Sequence, residues 1–266
     1  MPFRPATQAI HSGYDADPST GATAVPIYQT ASYQHASAKD LEDIFRGRAM
    51  GHVYTRISNP TNLALERRLA ELEGGAGCLV TASGMAAISA VCLGLLRAGD
   101  EVVAAQGIFG GTVSFFRNVL GRFGIKTAFV PAGDTEAYRR ALTPATRLIF
   151  VETITNPTLE VPDLPALAAL ANEANLPLVV DATVTTPALA RIRELGGDIV
   201  VHSTTKFVNG HGTAIGGEIV DTGRYAWAKG IFEDLRQMAK RAGPMAFLAF
   251  LRNVILRDLG GCAAPQ

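Results

Sequence analysis

From about residue 63 onward, short β-branched apolar runs alternate with longer segments of helical period, and this alternation constrains the fold more than any other feature. The runs occupy 78–80, 101–104, 127–130, 148–151, 178–180 and 199–201. Runs this short, with no polar alternate position, suit strands buried on both faces of a mostly parallel sheet. Helical patterns lie between them at 85–97, 112–123, 164–174 and 188–195. Repeated strand and helix, punctuated by Gly, Pro and Asp, predicts an α/β domain: a mostly parallel central sheet flanked by helices. Ligands in such folds bind at the carboxyl ends of the strands, so the polar residues there come first as candidates.

Residues 1–60 are of another kind. They are rich in Gly, Thr, Tyr and Pro, with a helical pattern only near 40–45. A long irregular stretch is uncommon in an isolated compact domain. It is therefore expected to be an N-terminal arm contacting a neighbouring subunit, with 61–266 forming the ligand-binding α/β domain and the protein an oligomer. The chain carries 24 basic and 24 acidic side chains and no basic block, which argues against nucleic-acid binding and a polybasic membrane patch. No apolar run approaches the ~20 residues that span a bilayer, and the first residues lack the apolar core of a signal peptide. Cys78, Cys92 and Cys262 sit in apolar or small-residue settings, so they are read as reduced thiols, not as a disulfide or metal framework. A cytoplasmic protein acting on a small molecule is the expectation.

Lys206 follows the run 199–201 and is fenced by Ser203, Thr204 and Thr205. That setting suits a buried Schiff-base lysine better than a surface charge. Upstream, the run 178–180 ends in Asp181. An amine for an aldehyde and a carboxylate for a ring nitrogen are what pyridoxal 5'-phosphate requires. Each residue alone also reads as an ordinary strand-terminal polar group. Ser83-Gly84-Met85 joins a strand to a helix, where free N–H groups and the helix dipole suit a phosphate. Ser83 is equally a plain N-cap. Ser203 and Thr205 offer further hydroxyl donors to the same phosphate. Tyr54 and Arg56 stand two apart in a segment expected to be extended and so point the same way, towards one anion; pairing of Arg56 with a surface carboxylate is the plainer alternative. Asn156 follows a strand and offers a donor to the cofactor's 3'-oxygen, although Asn-Pro is also a common turn.

The segments YTRISNPT, SGMAAI, FGGT, ETITNPT, VDATVTTP and HSTTKFVNGHGTAIGG occur in this order. Together they closely resemble the Cys/Met-metabolism family of fold-type I pyridoxal-phosphate enzymes, from about residue 5 to the C-terminus. The form TKFVNGHGTAIGG with the downstream LRDLGG is most similar to the O-acetylhomoserine sulfhydrylase branch. The resemblance implies a Schiff base on Lys206, pairing of Asp181 with the pyridine nitrogen, and a phosphate held by Gly84, Met85, Ser203 and Thr205. It also implies that Tyr54 and Arg56 reach the phosphate in the neighbouring subunit, in a dimer or dimer of dimers. Tyr54, its phenolate favoured by the cation of Arg56, is then a partner in proton transfer.

The chain departs from the family pattern in three ways. Phe109 stands where relatives carry a tyrosine that stacks on the cofactor; phenylalanine keeps the stacking face and has no proton to exchange. Ala182 replaces a polar neighbour of Asp181. Relatives also have a C-terminal domain with an arginine for the substrate carboxylate, and the chain is expected to lack it. Neither His211, placed in a turn, nor Arg252 is taken as a substitute. The expected reaction is γ-replacement on O-acetylhomoserine by sulfide or a thiol, giving homocysteine or methionine. A γ-lyase or cystathionine γ-synthase reaction is the alternative within the family, and Gly111, where γ-lyases commonly have a cysteine, disfavours the lyase. A cofactor-binding, non-catalytic subunit is the alternative of another class, and a structural protein without cofactor the last.

Overall fold

The computed structural model describes residues 3–260, 263 and 265. Of the three cysteines, Cys78 and Cys92 are buried free thiols; Cys262 lies outside the described residues.

Two short helices precede the sheet domain: α1 (Pro5–His11) and α2 (Ala38–Phe45), the latter capped by Ser37 Oγ, which accepts the Asp40 N–H at 3.1 Å. Helix α3 (Pro60–Glu73) starts where Asn59 accepts the Thr61 N–H (2.8 Å) and Pro60 fixes the first turn. It stops at Gly74, whose φ of 66° is left-handed and costs glycine nothing. The arm is tied to α3 through Arg68 Nε, which donates to the Ser12 carbonyl at 2.9 Å.

The chain then builds β1 (Gly77–Thr81), α4 (Gly84–Leu95), β2 (Glu101–Ala105), α5 (Gly110–Ser114), β3 (Lys126–Val130), α6 (Thr135–Ala141), β4 (Thr146–Glu152), α7 (Leu164–Glu173), β5 (Leu178–Asp181), α8 (Thr186–Leu189), β6 (Ile199–His202), β7 (Gly217–Asp221), α9 (Glu233–Ala242) and α10 (Ala246–Phe250). Seven strands form one sheet in the order β1-β7-β6-β5-β4-β2-β3. All pairs are parallel except those of β7, which runs antiparallel to β1 and β6. The central strands are buried residue after residue (Leu148, Ile149, Val151, Leu178, Val180, Ile199 and Val200 are fully covered), as helices on both faces require. Each such Val, Leu or Ile contributes roughly 1.5–3 kcal/mol by leaving water.

Two sequence expectations need correction. β7 was not foreseen, because its five residues include two buried acids, Glu218 and Asp221, that hide the apolar run. The helix expected at 188–195 is instead the single turn α8, which ends at Leu189. Beyond it the Ile192 N–H turns to Glu73 Oε2 (3.4 Å) on α3, and Arg191 reaches Gln8 (2.9 Å) on α1, so tertiary partners take the groups a helix would have used. The pattern at 112–123 is helical but irregular: α5 continues through a π-helical turn (Phe115–Val119) and a 3₁₀ turn (Leu120–Phe123).

This topology decides where a site can form. Because β7 is reversed, its first residue shares an edge with the last residues of β1, β6, β5 and β4. Across that edge Thr81 faces Gly217, His202 faces Glu218, Val201 faces Asp181, and Asp181 faces Glu152.

Candidate active site

A cavity of about 300 Å³ opens at this edge, at the small end of the roughly 300–1,000 Å³ usual for small-molecule sites. Ser83, Gly84 and Met85 line it from the start of α4, Phe109 from the start of α5 and Asn156 from the loop after β4; Asp181 enters from the end of β5, and Ser203, Thr205 and Lys206 from the turns after β6. The topology thus gathers nine of the sequence candidates, drawn from distant parts of the chain, at one opening.

Helix α4 supplies an anion-ready end. Ser83 Oγ caps it by accepting the Ala86 N–H (3.0 Å), and the N–H groups of Gly84 and Met85 have no acceptor within the helix. Packing of α4 against β6 and β7 brings this end against the turn after β6. A Cβ on Gly84 would sit 2.7 Å from Ser203 Cβ, and one on Gly217 would sit 2.2 Å from the Ser83 carbonyl oxygen. Only glycine allows so close an approach.

Asp181 is partly buried, and Thr183 holds it: the Thr183 N–H and hydroxyl donate to Oδ1 at 3.0 and 2.6 Å. The same Thr183 oxygen accepts the Ser203 N–H at 2.8 Å, locking the two strand ends together. Burial raises the Asp181 pKa, with the Thr183 hydrogen bonds and nearby His202 opposing. A carboxylate in this state is short of a cation. Behind it lies a fully buried cluster in which His202 Nε2 contacts Glu73 Oε1 (2.7 Å) and Glu218 Oε1 (3.5 Å). Burial pushes Glu218 up to about 7. For His202 burial alone would lower the pKa, but the Glu73 hydrogen bond and the Glu218 and Glu73 charges raise it overall.

Three expectations about individual residues are corrected here. Lys206 is not buried in this chain: the strand stops at His202, the chain runs through turns towards Gly210, and the lysine is exposed at the mouth of the cavity. Thr205 Oγ1 spends its one proton on the Gly216 carbonyl (3.1 Å) and accepts the Gly216 N–H (3.1 Å), so its hydroxyl braces the loop after Lys206. Residues 54–57 form a turn, closed by the Ile57 N–H on the Tyr54 carbonyl (2.9 Å), and are not extended. There Arg56 lies over the Tyr54 ring, 5.3 Å from its centroid, and donates to the Arg257 carbonyl. Tyr54 and Arg56 line a different cavity, of about 730 Å³, together with Tyr28 and Asn59. Within one chain they do not meet Lys206 at the first cavity.

Two residues escaped the sequence reading although their segments were singled out. Thr183 is the brace just described. Glu152, at the end of β4, is buried and lines the cavity beside Asp181. Its Oε1 accepts the Phe109 N–H and its Oε2 the Asn156 N–H, each at 2.8 Å. Burial pushes its pKa up to about 7, helped by the Asp181 charge and opposed by the two N–H groups. An acid closing an apolar strand, with two backbone donors waiting in flanking loops, is the signal that could have found it.

The cavity therefore offers an amine at its mouth, a carboxylate with no salt bridge among the described residues, a helix N-terminus with free N–H groups, and an aromatic side chain, Phe109, on its wall. That donor set fits pyridoxal phosphate end to end: ring nitrogen to Asp181, phosphate to α4, aldehyde to Lys206. Fold and cavity define a fold-type I pyridoxal-phosphate protein. The chain belongs to the Cys/Met metabolism PLP-dependent enzyme family, whose family model matches residues 6–255. It is 42% identical to an O-acetyl-L-homoserine sulfhydrylase of Leptospira meyeri over 88% of this chain and 53% of the relative. It is 44% identical to an L-methionine gamma-lyase of Pseudomonas putida over 81% of this chain and 54% of the relative. Among solved structures, the Campylobacter jejuni metY protein, carrying N'-pyridoxyl-lysine-5'-monophosphate, aligns with all of this chain and 68% of its own at a TM-score of 0.89 and 31% identity. The chain spans 63% of one curated relative it matches and 53% of another.

Proposed function

We propose that the protein carries out γ-replacement on O-acetylhomoserine, with sulfide or a thiol as the incoming group and homocysteine or methionine as product. The observation that carries this reading is the convergence of Lys206, Asp181 and the α4 N-terminus on one cavity in a chain of this family. Within the family the ordered motifs, above all TKFVNGHGTAIGG, support the sulfhydrylase reaction, and the likeness to a sulfhydrylase agrees with it.

When bound, pyridoxal phosphate supplies an electron sink for the carbanion at the substrate Cα. Asp181 would hold the proton on the ring nitrogen, and that cation would lower the Asp181 pKa from its raised value. Gly84, Met85 and Ser203 would hold the phosphate, and Phe109 would offer its ring face to the cofactor. Lys206 would hold the aldehyde and, as a free amine, would take the proton from the substrate Cα and serve Cβ in turn, with acetate as the leaving group at Cγ. Its position at the cavity mouth gives the amine the freedom to move between these atoms. Tyr54 and Arg56 act in the neighbouring subunit, where Arg56 pairs with the phosphate and Tyr54 relays protons. Their separation from Lys206 within one chain supports that arrangement, in which residues 1–60 would serve as an arm on the partner and 61–266 as the cofactor domain. The working assembly is a dimer or dimer of dimers in the cytoplasm.

The Pseudomonas putida relative favours a γ-lyase reading. Gly111 weighs against it, since it carries no thiol where γ-lyases commonly have a cysteine. A cofactor-binding, non-catalytic subunit draws its support from Phe109, which has no proton to exchange. An absorption band near ~420 nm that disappears in Lys206→Ala is the expected signature of the bound cofactor. Acetate release from O-acetylhomoserine with homocysteine formation supports the sulfhydrylase; keto-acid release from methionine without thiol supports the lyase. A coloured protein that does neither is the binding subunit.

A further inference from the structure

Phe109 and Asn156 come from separate loops, after β2 and after β4, and hydrogen bonds between their own side chains do not set the distance between them. One carboxylate does. Glu152 spans the gap, with Oε1 on the Phe109 N–H and Oε2 on the Asn156 N–H, both at 2.8 Å. It is 5% exposed, so water competes little for either bond. We infer that Glu152 is a positioning residue for the cofactor, a two-oxygen clamp that fixes the ring-stacking Phe109 and the Asn156 beside it at one spacing. The inference rests on the pyridoxal-phosphate reading of the cavity.

The clamp has a chemical requirement. Two N–H donors need two acceptor oxygens, which only the ionised carboxylate presents; the protonated acid turns one oxygen into a donor. Burial places the switch between these forms at about pH 7. The other titratable groups facing Glu152 across the cavity are Asp181 on β5 and Lys206 after β6, with His202 behind Asp181. Burial is the main cause of the raised Glu152 pKa; neutralising Asp181 with a ring-nitrogen cation removes the charge that adds to it, so a bound cofactor favours the closed clamp.

Glu152→Gln tests this cleanly, because glutamine has the shape of the protonated acid: one acceptor oxygen and one donor. It also removes a buried charge, so the fold is expected to persist, with the cofactor-free unfolding temperature at about pH 5.5 equal to wild type. The dissociation constant of pyridoxal phosphate and the visible circular dichroism of the bound cofactor are measured for both proteins at about pH 5.5 and 8.5. Above the switch the variant is expected to hold the cofactor about tenfold more weakly, with an altered dichroic band. Below it the two proteins are expected to match. Asp181 and Lys206 are common to both, but Glu152→Gln also lifts the Glu152 charge from Asp181, so the altered dichroic band is required beside the change in affinity. A ratio that stays the same at both pH values, whether near one or near ten, overturns the clamp and leaves the cofactor reading standing. A wild type that binds no pyridoxal phosphate at either pH overturns that reading and the clamp with it.

Discussion

At the scale of single residues the cavity depends as much on side chains that are missing as on those that act. Gly84 lets α4 point its free N–H groups past Ser203. In Gly84→Ala the new Cβ meets Ser203 Cβ at 2.7 Å and its Cα at 2.9 Å, and backbone cannot yield cheaply. Pyridoxal-phosphate affinity should fall by about tenfold or more, with far-ultraviolet dichroism unchanged; undiminished binding would remove α4 from the phosphate site. Gly111→Ala is a milder change, since its Cβ meets only the movable Phe109 ring, at 2.5 Å. The ring should swing and the dichroism of bound cofactor change while affinity shifts less than in Gly84→Ala. The gathering of Lys206, Asp181 and Ser83 at one cavity was legible in the sequence because each stands at or just beyond the end of an apolar run. Glu152 and Thr183 were not, since their partners are backbone N–H groups and a neighbouring carboxylate, which no spacing in the sequence displays. The exposure of Lys206 was misjudged for a related reason: where β6 stops depends on the turn beyond it, not on the run before it.

Among elements, the parallel strands were legible as uninterrupted apolar runs, whereas β7 was masked by acids whose partners lie elsewhere. Asp221 accepts from Trp227 Nε1 (2.7 Å) and the Gly223 N–H (2.8 Å) in the turns just beyond the strand, and Glu218 lies 3.5 Å from His202 Nε2 on β6. A long-range tie fixes the Tyr54–Arg56 turn. Arg252, beyond α10, donates to the Ile57 carbonyl (2.9 Å) and to Glu66 Oε2 on α3 (2.6 Å), while Glu66 Oε1 accepts the Val80 N–H of β1 (3.2 Å). Arg252→Met would leave the buried Glu66 without its cation. Because Arg252 keeps some contact with solvent, the loss should fall near the lower end for broken buried pairs, about 3 kcal/mol. Burial already raises the Glu66 pKa, so protonation relieves part of that loss in acid. Denaturant unfolding of the variant should therefore show a deficit at pH 8 that narrows at pH 5; a deficit independent of pH would mean that packing, and not the ion pair, is what Arg252 provides.

Over the whole molecule several acids away from solvent shift in the same direction. Burial pushes Glu152 and Glu218 up to about 7, and Asp198 and Asp221 up to about 6. Each folded-state value exceeds the unfolded one of about 4, so folding takes up protons. The stability these groups add is complete below the unfolded pKa and is lost as pH rises through 6 to 7. His202, also raised, adds a loss of the same sign. Asp17, Glu233 and Asp258 are lowered and work the opposite way, but they lie at the surface and act only in the acid range below their ordinary values. The cofactor-free protein should thus melt lower at pH 8 than at pH 5.5, by on the order of 5 °C for a domain of this size. Glu218→Gln should flatten the slope, since both oxygens of Glu218 face the interior without a hydrogen-bond partner. A melting temperature that climbs between those two pH values would show that these acids find cations or water in solution. Loading with pyridoxal phosphate should recover part of the alkaline loss, because the cation it sets against Asp181 also lessens the repulsion between Asp181 and Glu152 on neighbouring strand ends.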